Sequence, residues 1–289
     1  MAFVAVRLLA VLGAGVVDPA SPVIRADDPG ITRGDGCFEG IRVLTGDDGV
    51  SRIAKLERHL ARMARSAHAL DIAFDLDGWT AFVTATIGRW REPGETSLKL
   101  VLTRGPIGGL PMGLLTLSDL PADYPRLRRE GLRVCTLSRG FTSDAFADAP
   151  WLLGGIKTLS YAANMAAQRE AERRGCDDTV FVSADGIVLE APTSSVVWST
   201  GRTLRTTPVG ATGILAGTTQ QLLFERAADA GWDCGEQVVT VAELHNAEVV
   251  WLVGSVRGPV DVVAIDGTAR TRRPEIDAEI RTLAGFDPA

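Results

Sequence analysis

The hydrophobic residues of this chain fall in short runs of strand length rather than in one long periodic stretch. In the first third these runs lie at residues 3–11, 38–44 and 98–103. One helix is predicted between them, over residues 51–70, because its apolar positions recur at spacings of 4, 3, 4 and 3 along one helical face. Those positions are Leu56, Leu60, Met63, Ala67 and Leu70. A chain built in this way combines strands and helices.

Hairpin signals dominate the second half of the chain. The stretches 179–183 and 187–189 flank Asp185-Gly186, a dipeptide typical of two-residue hairpin turns. A second hairpin is predicted around Gly201. The other elements predicted here are strands at 132–137, 196–199, 203–207 and 249–253, and helices at 160–174, at 218–230 and near Ala242. Because strands and helices do not alternate regularly, the predicted class is mixed α/β (α+β).

A length of 289 residues is typical of two domains. Residues 105–128 are rich in Gly, Pro and Leu and show little periodicity, so we predict a loop and interdomain linker there. The sequence therefore predicts a smaller N-terminal α+β domain over residues 1–125 and a larger, β-rich C-terminal domain over residues 126–289.

Composition limits the classes of function that the chain can have. Hydrophobic residues make up 46% of the chain and charged residues 23%, which is typical of a globular protein and excludes a largely disordered one. A net charge of −6 argues against nucleic acid or an anionic membrane as a partner. Four widely spaced cysteines and only three histidines, without C-x-x-C or H-E-x-x-H motifs, predict reduced thiols, no metal site and a cytoplasmic protein.

The first seventeen residues are apolar enough to suggest a signal peptide. However, they lack a basic n-region, Arg7 interrupts the apolar run, and no convincing small-residue cleavage site is present. We predict the alternative, two strands joined by a turn near Gly13 and Gly15. No stretch of about 18 uncharged apolar residues follows, so no membrane span is predicted.

Lys157 lies in an unusual environment, because no other charged residue occurs between Pro150 and Gln168. Apolar surroundings lower the pKa of a lysine and favour the free amine, which is the form that Schiff-base chemistry needs. Alternatively, Lys157 is a lysine of a core strand whose ammonium reaches solvent along its alkyl chain.

Two further features have the chemistry of a cofactor site. Glu190 closes the strand 187–189 and is either a functional carboxylate or an ordinary solvated acid. Residues 210–221 form a glycine-rich loop that leads into a helix, where Thr218 and Gln221 fit a capping box. Such a helix start binds anions, phosphate included, although the same pattern also describes a merely capped helix. A lysine amine, a carboxylate and a phosphate site are the partners that pyridoxal phosphate needs.

Six blocks, in order along the chain, resemble the class IV (fold type IV) aminotransferase family, which includes branched-chain aminotransferase, D-amino acid aminotransferase and 4-amino-4-deoxychorismate lyase. They are GDGCFEGIR at 34–42, LERHLARM at 56–63, IKTLSYAAN at 156–164, GIVLEAPTSSVV at 186–197, GILAGTT at 213–219 and WLVGSVR at 251–257. The resemblance covers nearly the whole chain. It implies a two-domain fold type IV enzyme with pyridoxal 5'-phosphate as its cofactor.

The resemblance also implies roles for individual residues. It implies that Lys157 forms the Schiff base with the cofactor and that Glu190 pairs with the pyridine nitrogen. The residues implied to bind the cofactor phosphate are Arg58, Thr218, Thr219 and Ser255.

Periodicity alone gives a different prediction for Arg58, since it places this residue with Arg62 and Arg65 on a solvated helix face. Here the resemblance decides in favour of phosphate binding.

Four residues are predicted to contact the substrate, and they are Gly40, Arg104, Tyr161 and Arg257. The two arginines are candidates for substrate carboxylates, and each is alternatively a surface residue. Tyr161 comes one position before the tyrosine of branched-chain aminotransferases, where this chain has Ala162. This departure weakens the branched-chain interpretation.

The predicted function is that of a lyase that converts 4-amino-4-deoxychorismate to 4-aminobenzoate and pyruvate for folate biosynthesis. The enzyme is expected to be a cytoplasmic homodimer that acts on a small molecule. The alternative is a class IV aminotransferase that acts on D-amino acids or branched-chain amino acids with the same lysine and glutamate. A third hypothesis, a non-catalytic relative, is disfavoured because Lys157 and Glu190 are both retained.

Overall fold

The computed structural model describes residues 4–286, and the chain separates into two compact units. The first contains the described residues up to Ala122 together with Ile156–Tyr161, and the second contains Asp123–Gly155 and the described residues from Ala162 onwards. None of the described helices is long and apolar enough to cross a membrane. The mixture of strands and helices confirms the predicted fold class.

The first unit is built on an antiparallel sheet, which contains six strands among the described residues. They are β1 (Val6–Val11), β2 (Gly15–Val17), β3 (Gly36–Thr45), β4 (Ser51–Ile53), β5 (Gly94–Thr103) and β6 (Met112–Asp119), in the order β2-β1-β6-β5-β3-β4. The helices of this unit are α1 (Pro29–Thr32), α2 (Leu56–Ala69) and α3 (Leu76–Ile87). The pairing of β1 with β2 confirms the predicted strands on either side of the N-terminal turn, and residues 1–3 lie outside the described range.

Helix α2 packs its predicted apolar face into the core of the first unit. Leu60, Met63 and Ala67 are fully buried in one cluster with Leu100 of β5 and Trp79 of α3. The spacing of apolar residues in the sequence therefore identified this face correctly.

The predicted start of this helix at residue 51 is wrong. Ser51–Ile53 forms β4, in which Ser51 pairs with Thr45 and Ile53 with Val43 of β3. The helix begins only at Leu56, after Lys55, whose φ of +55° lies in the left-handed region and turns the chain out of the strand.

The loop predicted over residues 105–128 is also wrong in part. Met112–Asp119 forms β6, which lies between β1 and β5 in the sheet, and Tyr124–Glu130 forms helix α4. Leu115 and Leu117 of β6 are fully buried in the core cluster of this unit. The strand begins directly after the Gly- and Pro-rich residues. Because those residues indicate a loop, the strand was not predicted.

Residues Ile156–Tyr161 pack with the first unit, whereas the sequence analysis placed them in the C-terminal domain. The N–H of Phe38 donates to the carbonyl of Lys157 at 3.1 Å, and the N–H of Leu159 donates to the carbonyl of Gly36 at 2.8 Å. The segment thus pairs with the start of β3. This pairing joins residues far apart in the sequence, so composition could not reveal it.

The second unit is built on a mixed parallel and antiparallel sheet. Its described strands are β7 (Leu132–Ser138), β8 (Asp178–Val182), β9 (Ser195–Thr200), β10 (Thr203–Thr206), β11 (Asp233–Glu236), β12 (Val249–Gly254), β13 (Gly258–Ile265) and β14 (Thr268–Ala269). Their order is β11-β10-β9-β12-β13-β7-β8, and β14 pairs with β13. Besides α4, its described helices are α5 (Ala162–Arg173), α6 (Thr218–Asp229), α7 (Val241–Asn246) and α8 (Pro274–Leu283), with a short 3-10 helix at Pro150–Leu152.

Both faces of the strand β12 are buried. Val250 and Leu252 lie in one hydrophobic cluster, whereas Val249, Trp251 and Val253 lie in another, to which α6 and α8 also contribute. Because side chains alternate across a strand, a strand covered on both faces has a continuous apolar run. This explains the uninterrupted run from which the strand was predicted.

The two predicted hairpins are present, but the first has a three-residue loop, 184–186, instead of the predicted two-residue turn, because the N–H of Ser183 donates to the carbonyl of Ile187 at 2.8 Å. The first turns at Gly186, whose φ is +87°, and the N–H of Phe181 donates to the carbonyl of Glu190 at 2.8 Å. The second joins β9 to β10 as an antiparallel pair across Gly201. The first hairpin fixes the position of Glu190 beside the strand β8.

Candidate active site

Lys157 is held through both of its backbone polar groups. Its carbonyl accepts the hydrogen bond from Phe38 of β3, and its N–H donates to Oγ of Ser66 on α2 at 3.3 Å. Ser66 is buried. A strand and a helix of the first unit therefore fix the backbone of the lysine from two directions.

The amine of Lys157 lies among aromatic groups. Its Nζ is 4.4 Å from the centroid of the Phe38 ring and donates to Oη of Tyr161 at 3.4 Å. The Phe38 and Tyr161 rings pack edge to face, with their centroids 5.0 Å apart. Ring faces attract a lysine ammonium, and the phenol provides a partner for proton exchange. The half-buried side chain is thus oriented by named contacts within the described residues.

The glycine-rich start of β3 lets the lysine segment approach the strand closely. A Cβ at Gly36 would lie 2.7 Å from Cδ1 of Leu159 and would collide with the carbonyl oxygen of Leu102. At Gly40, by contrast, a Cβ would meet no heavy atom within 4 Å. Gly40 shares a strand face with Phe38, since the two are two residues apart. Gly40 thus leaves open space on this face, and its role as a substrate position stays a prediction.

A buried cluster of ionisable residues, which was not predicted from the sequence, connects β3 to α2. The carboxylate of Glu39 accepts hydrogen bonds from Nε and Nη2 of Arg62, both at 2.7 Å, and lies 2.7 Å from Nδ1 of His59. Glu39 and His59 are fully buried, and Arg62 is nearly so. Below, these three residues are called the Glu39 cluster.

The charges in this cluster follow from its geometry. Burial by itself would raise the pKa of Glu39, but the hydrogen bonds and charges of Arg62 and His59 outweigh it and hold this pKa at about 2. Burial lowers the pKa of His59, and the opposing effect of Glu39 does not reverse that shift. At neutral pH, therefore, a neutral His59 donates its Nδ1–H to an ionised Glu39.

The solvated helix face predicted from periodicity is wrong for Arg62, which is buried against Glu39. Arg65 is exposed, and Arg58 is half-buried. A buried arginine needs a carboxylate partner, and here the partner comes from a neighbouring strand that helical periodicity does not include. Phosphate binding by Arg58 stays a prediction.

Three hydroxyl groups of the second unit meet at the start of α6. Oγ1 of Thr218 lies 3.0 Å from Oγ of Ser255, and Oγ1 of Thr219 lies 3.1 Å from the same atom. The N-cap residue is Gly217, where a Cβ would collide with Oγ of Ser195. The N-terminus of this twelve-residue helix carries partial positive charge, which favours an anion at this point.

The capping box predicted from Thr218 and Gln221 is wrong. The N-cap is Gly217, and no side chain caps the helix. Thr218 is the first residue of the helix, and its hydroxyl contacts Ser255 instead. The N-terminus therefore lacks the side-chain cap that the sequence predicted.

Glu190 is half-buried at the end of the first hairpin. Its Oε2 accepts a hydrogen bond from the N–H of Leu215 at 3.1 Å, and Leu215 lies in the glycine-rich loop before α6. The carboxylate is thus oriented by a backbone donor within the same unit. Its pairing with the ring nitrogen of the cofactor stays a prediction.

The two arginines predicted to bind substrate carboxylates each contact a carboxylate of their own unit. Arg257 is buried, and its Nη2 donates to Asp178 at 2.7 Å. Arg104 is partly exposed and donates to Asp35 at 2.5 and 3.1 Å. These pairings favour a structural role for Arg257, and the substrate roles of both arginines stay predictions.

Comparison with known proteins now identifies the family. Residues 36–265 match the family model for amino-transferase class IV. This chain belongs to the class IV aminotransferase family. A bifunctional aminodeoxychorismate lyase / D-amino acid transaminase of Mycobacterium tuberculosis is 38% identical over 285 residues, which cover 94% of this chain and 97% of that protein. A D-alanine aminotransferase of Bacillus licheniformis is 26% identical over 250 residues, which cover 83% of this chain and 82% of that protein.

Solved structures extend the comparison to the fold of this class IV aminotransferase. A hypothetical aminotransferase from Mycobacterium tuberculosis, in its PLP-bound form, has a TM-score of 0.91 and 39% sequence identity, and the match covers 96% of this chain and 98% of that one. A fold IV transaminase from Curtobacterium pusillum has a TM-score of 0.88 at 38% identity, covering 96% of this chain and 97% of that one. The predicted family, the fold type IV architecture and the dependence on pyridoxal phosphate are confirmed.

The side chains of this class IV aminotransferase provide the groups that pyridoxal phosphate requires. The second unit offers the hydroxyls of Thr218, Thr219 and Ser255 at a helix N-terminus, which suit a phosphate, and a carboxylate at Glu190, which suits a protonated ring nitrogen. The first unit offers the amine of Lys157, which suits an aldehyde. The donor chemistry of both units therefore fits the cofactor.

Proposed function

We propose that this enzyme is a 4-amino-4-deoxychorismate lyase, which forms 4-aminobenzoate and pyruvate for folate biosynthesis. The observation that carries the proposal is the Lys157 amine, hydrogen-bonded to Tyr161 and placed against the Phe38 ring. It is supported by the Mycobacterium tuberculosis relative, whose name includes aminodeoxychorismate lyase. We further propose that the enzyme is a cytoplasmic homodimer.

Lys157 is the residue to which we assign proton transfer. When bound, pyridoxal phosphate supplies a pyridine ring that accepts electrons from the substrate carbon bearing the amino group. Lys157, as a neutral amine, takes the proton from that carbon. The bond between the neighbouring ring carbon and the enol-ether oxygen then breaks, so that pyruvate leaves as its enolate and the six-membered ring becomes aromatic. The Lys157 ammonium returns its proton to the methylene carbon of that enolate. Tyr161, 3.4 Å from Nζ, orients the amine between these two steps.

Glu190 and the hydroxyl group cluster have different roles. The carboxylate of Glu190, oriented by the N–H of Leu215, keeps a proton on the ring nitrogen and thereby favours electron uptake. Thr218, Thr219 and Ser255 bind the phosphate together with the N-terminus of α6. Arg58 adds a positive charge to phosphate binding.

A second candidate function is D-amino acid transamination. The same Mycobacterium tuberculosis relative carries this activity in its name, and the Bacillus licheniformis relative is a D-alanine aminotransferase. Transamination uses the same lysine and glutamate but delivers the amino group to a 2-oxo acid. Branched-chain transamination is less well supported, because Ala162 occupies the position where those enzymes have tyrosine.

Parallel assays on one cofactor-saturated preparation test the proposal. Pyruvate and 4-aminobenzoate are measured with 4-amino-4-deoxychorismate as substrate, and amino transfer is measured with D-alanine, L-leucine and a 2-oxo acid. We expect equimolar formation of the two lyase products. Amino transfer from D-alanine without product formation from 4-amino-4-deoxychorismate would replace the lyase proposal by the second candidate.

A further inference from the structure

The Glu39 cluster connects the two elements that bind the backbone of Lys157. Phe38, which donates to the lysine carbonyl, is the residue next to Glu39 on β3. Ser66, which accepts from the lysine N–H, lies one helical turn after Arg62 on α2. Both backbone contacts of the lysine are therefore neighbours of residues in the cluster.

Two neighbouring residues of β3, Phe38 and Glu39, contact different parts of the first unit because side chains alternate along a strand. Successive side chains of β3 point to opposite faces of the sheet. Glu39 faces α2, where it contacts Arg62 and His59, whereas Phe38 faces the amine of Lys157. The position of the Phe38 ring thus depends on the same stretch of backbone that Glu39 attaches to the helix.

The cluster forms a rigid connection because its groups are buried and hydrogen-bonded to one another. The two hydrogen bonds from Arg62 to Glu39 are parallel and charge-assisted, and such bidentate pairs tolerate little displacement. A buried carboxylate that loses one cationic partner is strongly unfavourable. The strand β3 and the helix α2 are consequently held at one separation.

We propose that the Glu39 cluster is a positioning device for catalysis, which sets the place of the Lys157 amine by fixing β3 against α2. The proposal rests on the assignment of Lys157 as the catalytic base. Glu39 itself touches no reacting atom in this proposal, so it is a positioning residue. A displacement of about 1 Å at a catalytic group is enough to reduce turnover about a hundredfold.

The test uses Glu39→Gln, which keeps the size of the side chain but removes its charge and one acceptor for Arg62. Two quantities are measured: steady-state kinetics with saturating cofactor, and amide hydrogen exchange of residues 156–161 in the protein without cofactor. We expect kcat to fall by roughly ten- to a hundredfold with KM changed by less than about twofold. We also expect the 156–161 amides to exchange at least about tenfold faster, because the hydrogen bonds that protect them are loosened.

The matched control is Val83→Ala, which creates a cavity in the same hydrophobic core from helix α3 but removes no hydrogen bond of Lys157 or of the Glu39 cluster. It lowers the stability of the first unit without altering the Glu39 cluster. We expect wild-type kcat and wild-type exchange of residues 156–161 in this variant. The same changes in both variants would overturn the proposal, because they would reflect lost stability alone.

Ser66→Ala provides a second variant in case Glu39→Gln does not fold. It removes only the acceptor of the Lys157 N–H, and we expect a kcat roughly three- to tenfold below wild type with faster exchange of residues 156–161. The positioning proposal would be overturned if Ser66→Ala, and Glu39→Gln where it folds, both kept the kcat of the wild type and its amide exchange rates at residues 156–161. Lys157→Ala separates this result from the proposed function: if it is inactive while both variants behave as wild type, only the positioning proposal fails.

Discussion

In the first unit the residues around Lys157 depend on buried charges, because Glu39 binds Arg62 and His59 out of contact with solvent. In the second unit the residues at the start of α6 are neutral, and they bind one another through the hydroxyls of Thr218, Thr219 and Ser255. Removal of one partner from a buried charge pair exposes the other to an apolar environment, whereas removal of one of three hydroxyls leaves two. A single substitution in the Glu39 cluster is therefore expected to cost more stability than a single substitution among these three hydroxyls.

The comparison extends to pH. The pKa of Glu39 is about 2, well below its unfolded value, so its contribution to stability is complete above pH 4.5 and is lost as the pH falls towards 2. In the second unit burial raises the pKa values of Asp261 and Asp277, despite opposing hydrogen bonds. Those two aspartates favour folding when protonated, which is the opposite sign. Glu39 and these two aspartates should therefore contribute to stability with opposite dependence on pH.

The largest effect is expected from Lys157→Ala, which removes the only group to which we assign proton transfer. Turnover should fall by at least about 10⁴-fold, because no other residue is assigned as base. Steady-state assays with saturating cofactor measure this loss. The exposed Arg169→Ala on α5 is a control for loss of a cation, and it should keep wild-type turnover. Substantial activity in Lys157→Ala would show that Lys157 is not the group that transfers the proton.

Glu190→Gln tests the second unit in the same way, with a smaller expected effect. The amide keeps the size of the side chain and an acceptor for Leu215, but it no longer favours a protonated ring nitrogen. We expect kcat to fall by about a hundredfold, equivalent to roughly 3 kcal/mol, while cofactor occupancy stays complete. Absorbance and kinetics on one preparation measure both quantities. Near-normal turnover would make Glu190 an ordinary strand-end acid, and the exposed Glu236→Gln serves as a control.

Arg58→Ala and Ser255→Ala compare charged and neutral phosphate contacts directly. Loss of a charge-assisted contact at Arg58 should weaken cofactor binding roughly tenfold, and loss of the Ser255 hydroxyl should weaken it about fivefold or less. Equilibrium titration of the cofactor-free protein measures both affinities. Equal affinities for the wild type and Arg58→Ala would show that this arginine does not bind phosphate.

Much of the fold followed from local patterns. The buried face of α2 and the hairpin at Gly186 are encoded by residues close together in the sequence, so spacing and turn residues were sufficient to predict them. The strand β6 was not predicted, because the Gly and Pro residues just before it indicated a loop. Local patterns therefore failed where an element of the core begins directly after a turn.

The candidate site was harder to predict from the sequence than the fold. Lys157 and Glu190 were noted from their local sequence and received their roles from the family resemblance, whereas Ser255 was proposed from the resemblance alone. The structure shows what each contacts within its own unit. Glu39 and Arg62 were not proposed, because a buried ion pair between a strand and a helix leaves no periodic signal. The only available clue was a charged residue inside an apolar strand, since Glu39 interrupts the run at 38–44.

The smallest expected effect concerns Asp277, and it tests the sign of the pH response of a buried carboxylate in the second unit. Asp277 is buried on α8 and accepts a hydrogen bond from Nε1 of Trp251 at 2.9 Å. Burial raises its pKa above the ordinary value of 3.8, so the folded state binds this proton more tightly than the unfolded state. The free energy of unfolding therefore loses a contribution as the pH rises from about 3.8 through the folded-state pKa.

Asp277→Asn removes this loss, because the amide oxygen still accepts from Trp251 and no charge is buried at neutral pH. Urea unfolding of the variant and the wild type between pH 3 and pH 7 measures the difference, with the exposed Asp229→Asn as a control. We expect the variant to gain stability relative to the wild type as the pH rises, while Asp229→Asn follows the wild type. A variant that instead loses stability with rising pH would show that Asp277 gains more from its partners when ionised than burial costs it. In that case Asp277 and Glu39 would both stabilise the folded state as ionised carboxylates, and the contrast in pH response between these two residues would disappear.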